Sequence, residues 1–409
     1  MQSNEFEYIL PDDKIARHPV SPRRSAKLLR VTSSGSLTHG NFENLPQYLN
    51  EINCDGLWAN ETKVLQARLY MRKPSGGRLE VFLLEPVERV VELALSACKE
   101  SSWTCLVRGA RKWTSGTASL ILDGITLHAT PVHPEEGLVR EASGAFKLTF
   151  KWTGVETFGD VLDKLGCTPL PPYMQRDSDE TDKEQYQTVF ARFHGSVAAP
   201  TAGLHYDQVL LDELKKQGLP LNSLTLHVGA GTFRPLSEGD ISNHVMHEER
   251  CVVTKRGLEK LANTKRRVAT GTTTLRTLES LYWMAVIHKE TGVFPKVIPQ
   301  WTPYEDGEYN SRLTDFVNYE DAINYLLENV EFDPKDFTWD FQTQIMIRPG
   351  YQIKSIIALV TNFHQPGSTL LCLIAACLTT PWKDVYNQAL AQDYRFLSYG
   401  DGCMIELKN

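Results

Sequence analysis

Val268-Ala269-Thr270-Gly271-Thr272-Thr273-Thr274-Leu275 is the stretch on which the fold turns. A short apolar run meets a glycine, threonines follow, and residues from about Leu275 to His288 continue as a helix. The order recurs downstream, where Ser355 to Val360 leads through Thr361-Asn362-Phe363-His364 into a helix that Ser368 can cap. Asp207 to Lys216 is amphipathic, with Gly218 behind it as a C-cap candidate. Strand, polar loop, helix is the βα unit of a parallel sheet. The expectation is an α/β main domain with a parallel or mixed sheet, and ligands in such sheets bind beyond the carboxyl ends of the strands.

Residues from about Leu69 to Trp152 read differently. Apolar and polar residues alternate in Val90-Val91-Glu92-Leu93-Ala94-Leu95 and in Phe146-Lys147-Leu148-Thr149-Phe150. Asp123-Gly124 sits between two apolar runs, a hairpin signal. This block is expected to be an antiparallel β domain. Residues 1–68 and 153–409 then form one discontinuous α/β catalytic domain around the inserted 69–152. A further insertion is expected at 291–340, a surface segment with an acidic helix from Tyr319 to Val330.

The chain has 409 residues, so two domains are the prior expectation. Its composition, 42% hydrophobic and 23% charged, is that of an ordinary globular protein. The net charge of -7 argues against a basic nucleic-acid coat protein but leaves room for local basic patches. Candidate patches are Arg17, His18, Arg23, Arg24 and Lys27; Arg72, Lys73 and Arg78; and Arg108, Arg111 and Lys112. The eight cysteines are scattered without a Cys-x-x-Cys pair, so a zinc ribbon is not expected. The first residues carry Glu5 and Glu7 and no apolar run, so no signal peptide is read there. No apolar run reaches membrane length. A cytoplasmic chain with reduced thiols is expected, with no membrane partner; the oligomeric state is left open, a monomer being slightly favoured.

Three runs concentrate chemistry. The first is His194-Gly195-Ser196-Val197-Ala198-Ala199-Pro200-Thr201-Ala202-Gly203-Leu204-His205-Tyr206. The second is Thr225-Leu226-His227-Val228-Gly229-Ala230-Gly231-Thr232-Phe233-Arg234-Pro235, followed by His244-Val245-Met246-His247-Glu248. The third is Thr361 to Leu370. Their glycines allow close backbone approach to a ligand, although a tight turn uses the same residues. Gly229-Ala230-Gly231 fails the dinucleotide fingerprint, because Arg234 occupies the place of the third glycine. His244, His247 and Glu248 match neither arrangement of helical zinc-protease motifs, so no metal is expected.

These runs resemble the S-adenosylmethionine:tRNA ribosyltransferase-isomerases of queuosine synthesis. The likeness extends to Leu170-Pro171-Pro172-Tyr173, Tyr186-Gln187-Thr188-Val189, Gly271-Thr272-Thr273, Arg276, Leu278-Glu279-Ser280 and Ser398-Tyr399-Gly400-Asp401. It also takes in Leu10-Pro11, Ile15-Ala16, Pro19, Arg24-Ser25 and Leu28-Leu29, and covers nearly the whole chain. The resemblance implies that the inserted domain is a small β-barrel. It implies S-adenosylmethionine as co-substrate and, as partner, tRNA carrying 7-aminomethyl-7-deazaguanine in the anticodon. It implies transfer and isomerisation of the ribosyl moiety to give epoxyqueuosine-tRNA, with adenine and methionine released. Such chemistry needs a base, a proton donor and a neutral amine, jobs that suit histidines and carboxylates. His205, His227, His247, Glu248 and Asp401 are the catalytic candidates, and each can instead be a satisfied structural group. Binding candidates are Asn60, Thr62, Pro200, Thr201, Gly203, Gly229, Gly231, Thr232, Thr272, Thr273, Arg276, Asn362, Phe363, His364 and Tyr399. Arg276 could hold the methionine carboxylate or make an internal salt bridge. Phe363 and Tyr399 could stack on a base or pack the core.

Some positions depart from the family pattern. Asn60-Glu61-Thr62-Lys63 has Lys where Arg is usual, and the two are not equivalent at bidentate contacts. Ile357 replaces an aspartate, Arg348 an aromatic and Gln365 a leucine. They leave open a homologue that binds tRNA or a nucleoside but has lost or changed the activity, or an enzyme of the same fold with another acceptor.

Overall fold

The computed structural model describes residues 1–87, 90–113, 116–133, 137–141, 143–229, 231, 235–304 and 316–408. The chain divides into two compact units. One comprises Met1–Glu61, Thr188–Ala191 and Pro200–Asn409; the other comprises Thr62–Gln187 and Arg192–Ala199.

The first unit is built on a ten-stranded mixed sheet. Four parallel strands form its centre, in the order Leu221–Leu226, Gly56–Asn60, Arg267–Thr270 and Ala358–Asn362. Antiparallel neighbours flank them: Glu249–Thr254 beside Leu221–Leu226, and Gly402–Glu406 beside Ala358–Asn362. The Gly56–Asn60 strand is buried at every position, as a central strand covered on both faces must be. The helix Thr272–Thr291 is equally enclosed, buried from Thr272 to Ile287. Its buried polar residues are partnered within the fold: Arg276 bonds Glu249, and Glu279 accepts from Ser355 and Lys354.

The expected βα boundaries hold closely. Asp207 caps Gln208–Lys216 by accepting the Leu210 N–H, and Gly218 follows at φ +78°. Ser368 caps Thr369–Cys377 through the Leu371 N–H.

The expected insertion extends the sheet at one end. Thr338–Thr343 pairs along the whole of Glu249–Thr254, and Val297–Ile298 adds the outermost strand beyond it. The helix Tyr319–Asn329 buries Ala322, Ile323 and Leu326. Arg267 packs over the Tyr319 ring at 4.4 Å and pairs with Glu320 at 2.6 Å. Apolar positions every three to four residues give that helix a face to bury, and the helices Lys255–Ala262 and Thr272–Thr291 supply its partners.

In the second unit, strands from Arg68 to Thr153 close into a six-stranded antiparallel barrel, which leaves no free sheet edge among them. Asp123 and Gly124 both take positive φ (49° and 78°) between paired strands, the geometry of a type I′ hairpin turn. One expectation fails here. Val91–Leu95 is a short helix rather than a strand. Only Ala94 of that helix is buried, and Leu93 points outward, so the alternation had no sheet face to serve.

Candidate functional site

The four central strands end together. Leu224 lies opposite Asn60, Thr270 opposite Ala59, and Val360 opposite Thr270. Asn60, His227, the Gly271–Thr273 turn and Asn362 therefore share one edge of the sheet. The antiparallel neighbours reach that edge with their first residues, because Cys251 faces Leu226 and Gly402 faces Asn362. Glu249 and Asp401 join the row for this reason.

Asn60 fastens the middle of the row. Its Oδ1 accepts the Leu226 N–H at 3.0 Å, and its Nδ2 donates to Leu226 O at 2.9 Å and to Thr273 Oγ1 at 3.3 Å. Gly271 takes φ +93°, which L side chains rarely adopt, and its N–H donates to Val360 O at 2.7 Å. That turn starts the long helix directly at the sheet edge, with Thr272 and Thr273 buried in its first turn. The positive end of the helix dipole thus faces the row.

One cluster forms around His205, the last residue of the helical turn Thr201–His205 that follows Pro200. The imidazole is buried and stacks on Phe42 at 4.2 Å. Asn362 Nδ2 stands 3.0 Å from His205 Nε2 and donates to Leu397 O at 3.0 Å. The carbonyl partner orients the amide with its nitrogen toward both, which makes His205 Nε2 the acceptor. Burial, with Arg395 and Arg23 nearby, holds the imidazole at about 3, so it is neutral at physiological pH. His364 is also buried, with Nε2 2.9 Å from Thr361 Oγ1 and its titration lowered to about 4 by burial.

A second cluster forms around Glu249. This carboxylate is 2% exposed and bonds Arg276 Nη1. His247 Nε2 stands 3.3 Å from its other oxygen, Oε1. Burial opposes ionisation, but Arg276 and His247 outweigh it and hold the carboxyl down at about 2. Arg276 Nε donates to Ile345 O at 3.2 Å, while its buried Nη2 has no partner. A side chain on Gly231 would come within 2.5 Å of His247 Nδ1, and one on Gly229 within 3.5 Å of His247 Cδ2. The two glycines make room for this imidazole.

Several expected site residues have side chains that are buried or engaged within the fold. Phe363 is wholly buried among Tyr386, Tyr394 and Phe396 and offers no face to a base. Tyr399 is also buried. Gly203 is tight because Phe190 and Thr188 lie where its side chain would be, both at 2.8 Å. Asp401 accepts the Lys27 N–H at 3.0 Å, the Arg395 N–H at 2.8 Å and Arg395 Nη2 at 3.2 Å, so it braces the segments that carry them. Glu248 is exposed, and the adjacent Glu249 is the enclosed carboxylate that sequence reasoning passed over. Arg276 makes the internal salt bridge. Thr62 belongs to the second unit, where its hydroxyl meets Ser196 Oγ at 2.6 Å. Thr232 lies outside the described residues.

The departures from the family pattern also find physical accounts. Ile357 packs against the apolar core beside Leu57 and Val268. Arg348 lies over the Tyr304 ring at 4.2 Å, so a cation–π contact stands where an aromatic is usual. Nothing in the structure explains Lys63. Of the first basic patch, Arg24 pairs with Asp207 at 2.7 Å, Arg17 with Asp12 at 2.8 Å, and Lys27 donates to Asp393 O at 2.8 Å, so much of it is engaged within the fold. Among the described residues no group of three His, Cys, Asp or Glu side chains could hold a metal ion, and no helix is long and apolar enough to cross a membrane.

A mixed α/β sheet with histidines, carboxylates and amides ranged along the carboxyl ends of its parallel strands defines the ligand-binding class of α/β proteins. The chain belongs to the queuosine biosynthesis protein family, which it matches over residues 3–405. Proteins named S-adenosylmethionine:tRNA ribosyltransferase-isomerase are similar to it end to end. The one from Symbiobacterium thermophilum is 36% identical, covering 99% of this chain and 100% of its own. Those from Pelobacter propionicus and Aquifex aeolicus are 34% and 33% identical over the same shares. A crystal structure of an S-adenosylmethionine tRNA ribosyltransferase from Thermotoga maritima is 26% identical, covering 98% of this chain and 99% of that one, with a TM-score of 0.44.

Proposed function

We propose that this enzyme transfers and isomerises the ribosyl moiety of S-adenosylmethionine onto 7-aminomethyl-7-deazaguanine at the wobble position of a tRNA anticodon. The product is epoxyqueuosine-tRNA, and adenine and methionine leave. The observation that carries this reading is the end-to-end family match together with the row of polar side chains at one sheet edge. The row offers groups for each task. His247 is a partly exposed imidazole able to take the C5′ proton beside the sulfonium. His227, the residue after the Leu221–Leu226 strand, is the proton donor we assign to adenine departure. The unpartnered Arg276 Nη2 and the helix N-terminus favour the methionine carboxylate. His205 and Asn362 present a neutral, hydrogen-bonding surface suited to a base.

The test mixes the protein with S-adenosylmethionine and an anticodon stem-loop carrying the aminomethyl-deazaguanine, and measures adenine and methionine. Equal adenine release with unmodified guanine in the stem-loop would show the acceptor to be wrong. RNA affinity is expected to fall steeply with salt, as phosphate contacts release counterions. Charge reversal of Arg72 and Lys73 should weaken RNA binding more than S-adenosylmethionine binding, and a flat salt response would reject phosphate contacts as its source.

A further inference from the structure

We infer that Glu249 is the positioning residue for His247: it holds the imidazole as the Nε2–H tautomer and leaves Nδ1 as the proton acceptor of the site. This rests on the reading just given and adds to it a residue and a specific nitrogen. Glu249 is the enclosed carboxylate at the start of its strand, and its two oxygens are divided. One bonds Arg276 Nη1, and the other lies 3.3 Å from His247 Nε2. Arg276 keeps the carboxylate ionised, so it can only accept, and its charge 3.3 Å away favours the proton on the nitrogen that faces it. The lone pair is then on Nδ1.

Gly231 packs against the Nδ1 side of the ring: a side chain there would stand 2.5 Å from Nδ1, 2.6 Å from Cγ and 2.8 Å from Cε1, so a glycine is needed for the backbone to lie this close to the imidazole. The His247 side chain is 28% exposed. The Nε2 contact is long and off hydrogen-bond alignment, and catalytic hydrogen bonds are often loose before substrate tightens them. In the reaction the C5′–H bond breaks, its electron pair stays on carbon beside the cationic sulfur, and the proton passes to Nδ1. The resulting imidazolium lies against Glu249, which stabilises it without taking the proton. Arg276 is thereby shared: Nη1 restrains the carboxylate, and the unpartnered Nη2 remains for a substrate anion.

Two measurements test this. The first is nitrogen NMR of the whole protein labelled with 15N-histidine, with a His247→Gln variant to identify the signal. It needs neither substrate nor turnover. The Nε2–H pattern is expected for His247, and an Nδ1–H pattern would overturn the inference. The second is kinetic. Glu249→Gln should lower kcat for adenine release by about 100-fold or more, with KM for S-adenosylmethionine changed little. In a His247→Gln background the same change should cost almost nothing further. An unchanged kcat in folded Glu249→Gln, or an equal loss in both backgrounds, would overturn it. If Glu249→Gln does not fold, Glu249→Asp keeps the charge for Arg276 but shortens the reach to His247. It should still lower kcat and disturb the NMR pattern, and an Asp variant matching the wild type in both would count against the inference. A wild-type protein that releases no adenine would defeat the proposed function, while the NMR result would still decide this one.

Discussion

His205 and His247 stand at the same sheet edge, yet their surroundings are opposite in kind. The strands that carry Asn362 and Glu249 are four places apart in the sheet, ~4.8 Å per step. His205 is sealed between Phe42 and an amide, with no carboxylate against it, and its titration falls to about 3. His247 is partly open and lies against a carboxylate that is itself clamped by an arginine. An imidazole in the first setting is held neutral and can only orient a ligand or exchange hydrogen bonds. One in the second setting can accept a proton, because a fixed negative charge stabilises the cation it becomes. The residue type is shared, and the neighbours give the two imidazoles different environments.

The largest expected effect comes from removing the charge at the second cluster. Glu249→Ala leaves the Arg276 guanidinium buried without its counter-ion and should cost roughly 3–5 kcal/mol in urea unfolding. Replacing the pair together, as Glu249→Leu with Arg276→Met, should recover most of that stability while turnover stays lost. If the single variant unfolds at the wild-type midpoint, the pair is not the electrostatic centre of its cluster.

Acid should expose the first cluster. His205 and His364 titrate lower in the fold than the ordinary 6.5, at about 3 and about 4. The unfolded chain therefore binds more protons below 6.5, and the stability they contribute is full above 6.5 and lost as pH falls from there toward the folded values. At pH 5 the loss should be about 2 kcal/mol for each histidine. His205→Gln should remove its own share of the slope between pH 7 and pH 5, and an unchanged slope would mean that His205 is not held neutral. Glu249 works in the same direction but later. Its contribution is full above about 4.5 and disappears as pH falls toward about 2.

Asn362→Leu should cost about 1–3 kcal/mol at pH 7, since it leaves His205 Nε2 buried without its donor and takes from Leu397 O one of the two donors it has, the other being the Gly400 N–H. Gly231→Ala should cost the least stability, about 1 kcal/mol, because His247 is partly exposed and can swing away. Its effect on turnover should be far larger than its effect on unfolding. Equal and small effects on both would separate Gly231 from the working position of His247.

Much of the architecture was legible in local sequence. The strand-to-helix turn at Gly271 and the cap at Ser368 follow from backbone preference and hydrogen-bonding groups that act over a few residues. The type I′ turn at Asp123-Gly124 does so as well. Alternation alone misled at Val90–Leu95, where no partner strand takes up the pattern. The same signal went unused where it would have helped. From Glu249 onward every second residue is buried (Glu249, Cys251 and Val253), and this rhythm separates Glu249 from its neighbour Glu248.

The sequence by itself determined the βα units, the hairpin of the β domain, the family and the list of polar residues from which the site is drawn. These depend on periodicity, turn chemistry and runs of contiguous residues. Only the tertiary structure decided which of those residues face the same edge and what each one touches. Asp401 became a brace because the Lys27 N–H, 374 positions away, arrives at its oxygen. Phe363 became core because Tyr386, Tyr394 and Phe396 close around it. Glu249 became the enclosed carboxylate because strand pairing sets the first residue of its strand beside Arg276 and His247. A titratable group takes its role from the charges and donors within a few ångströms, and those neighbours are set by strand pairing and packing between distant parts of the chain.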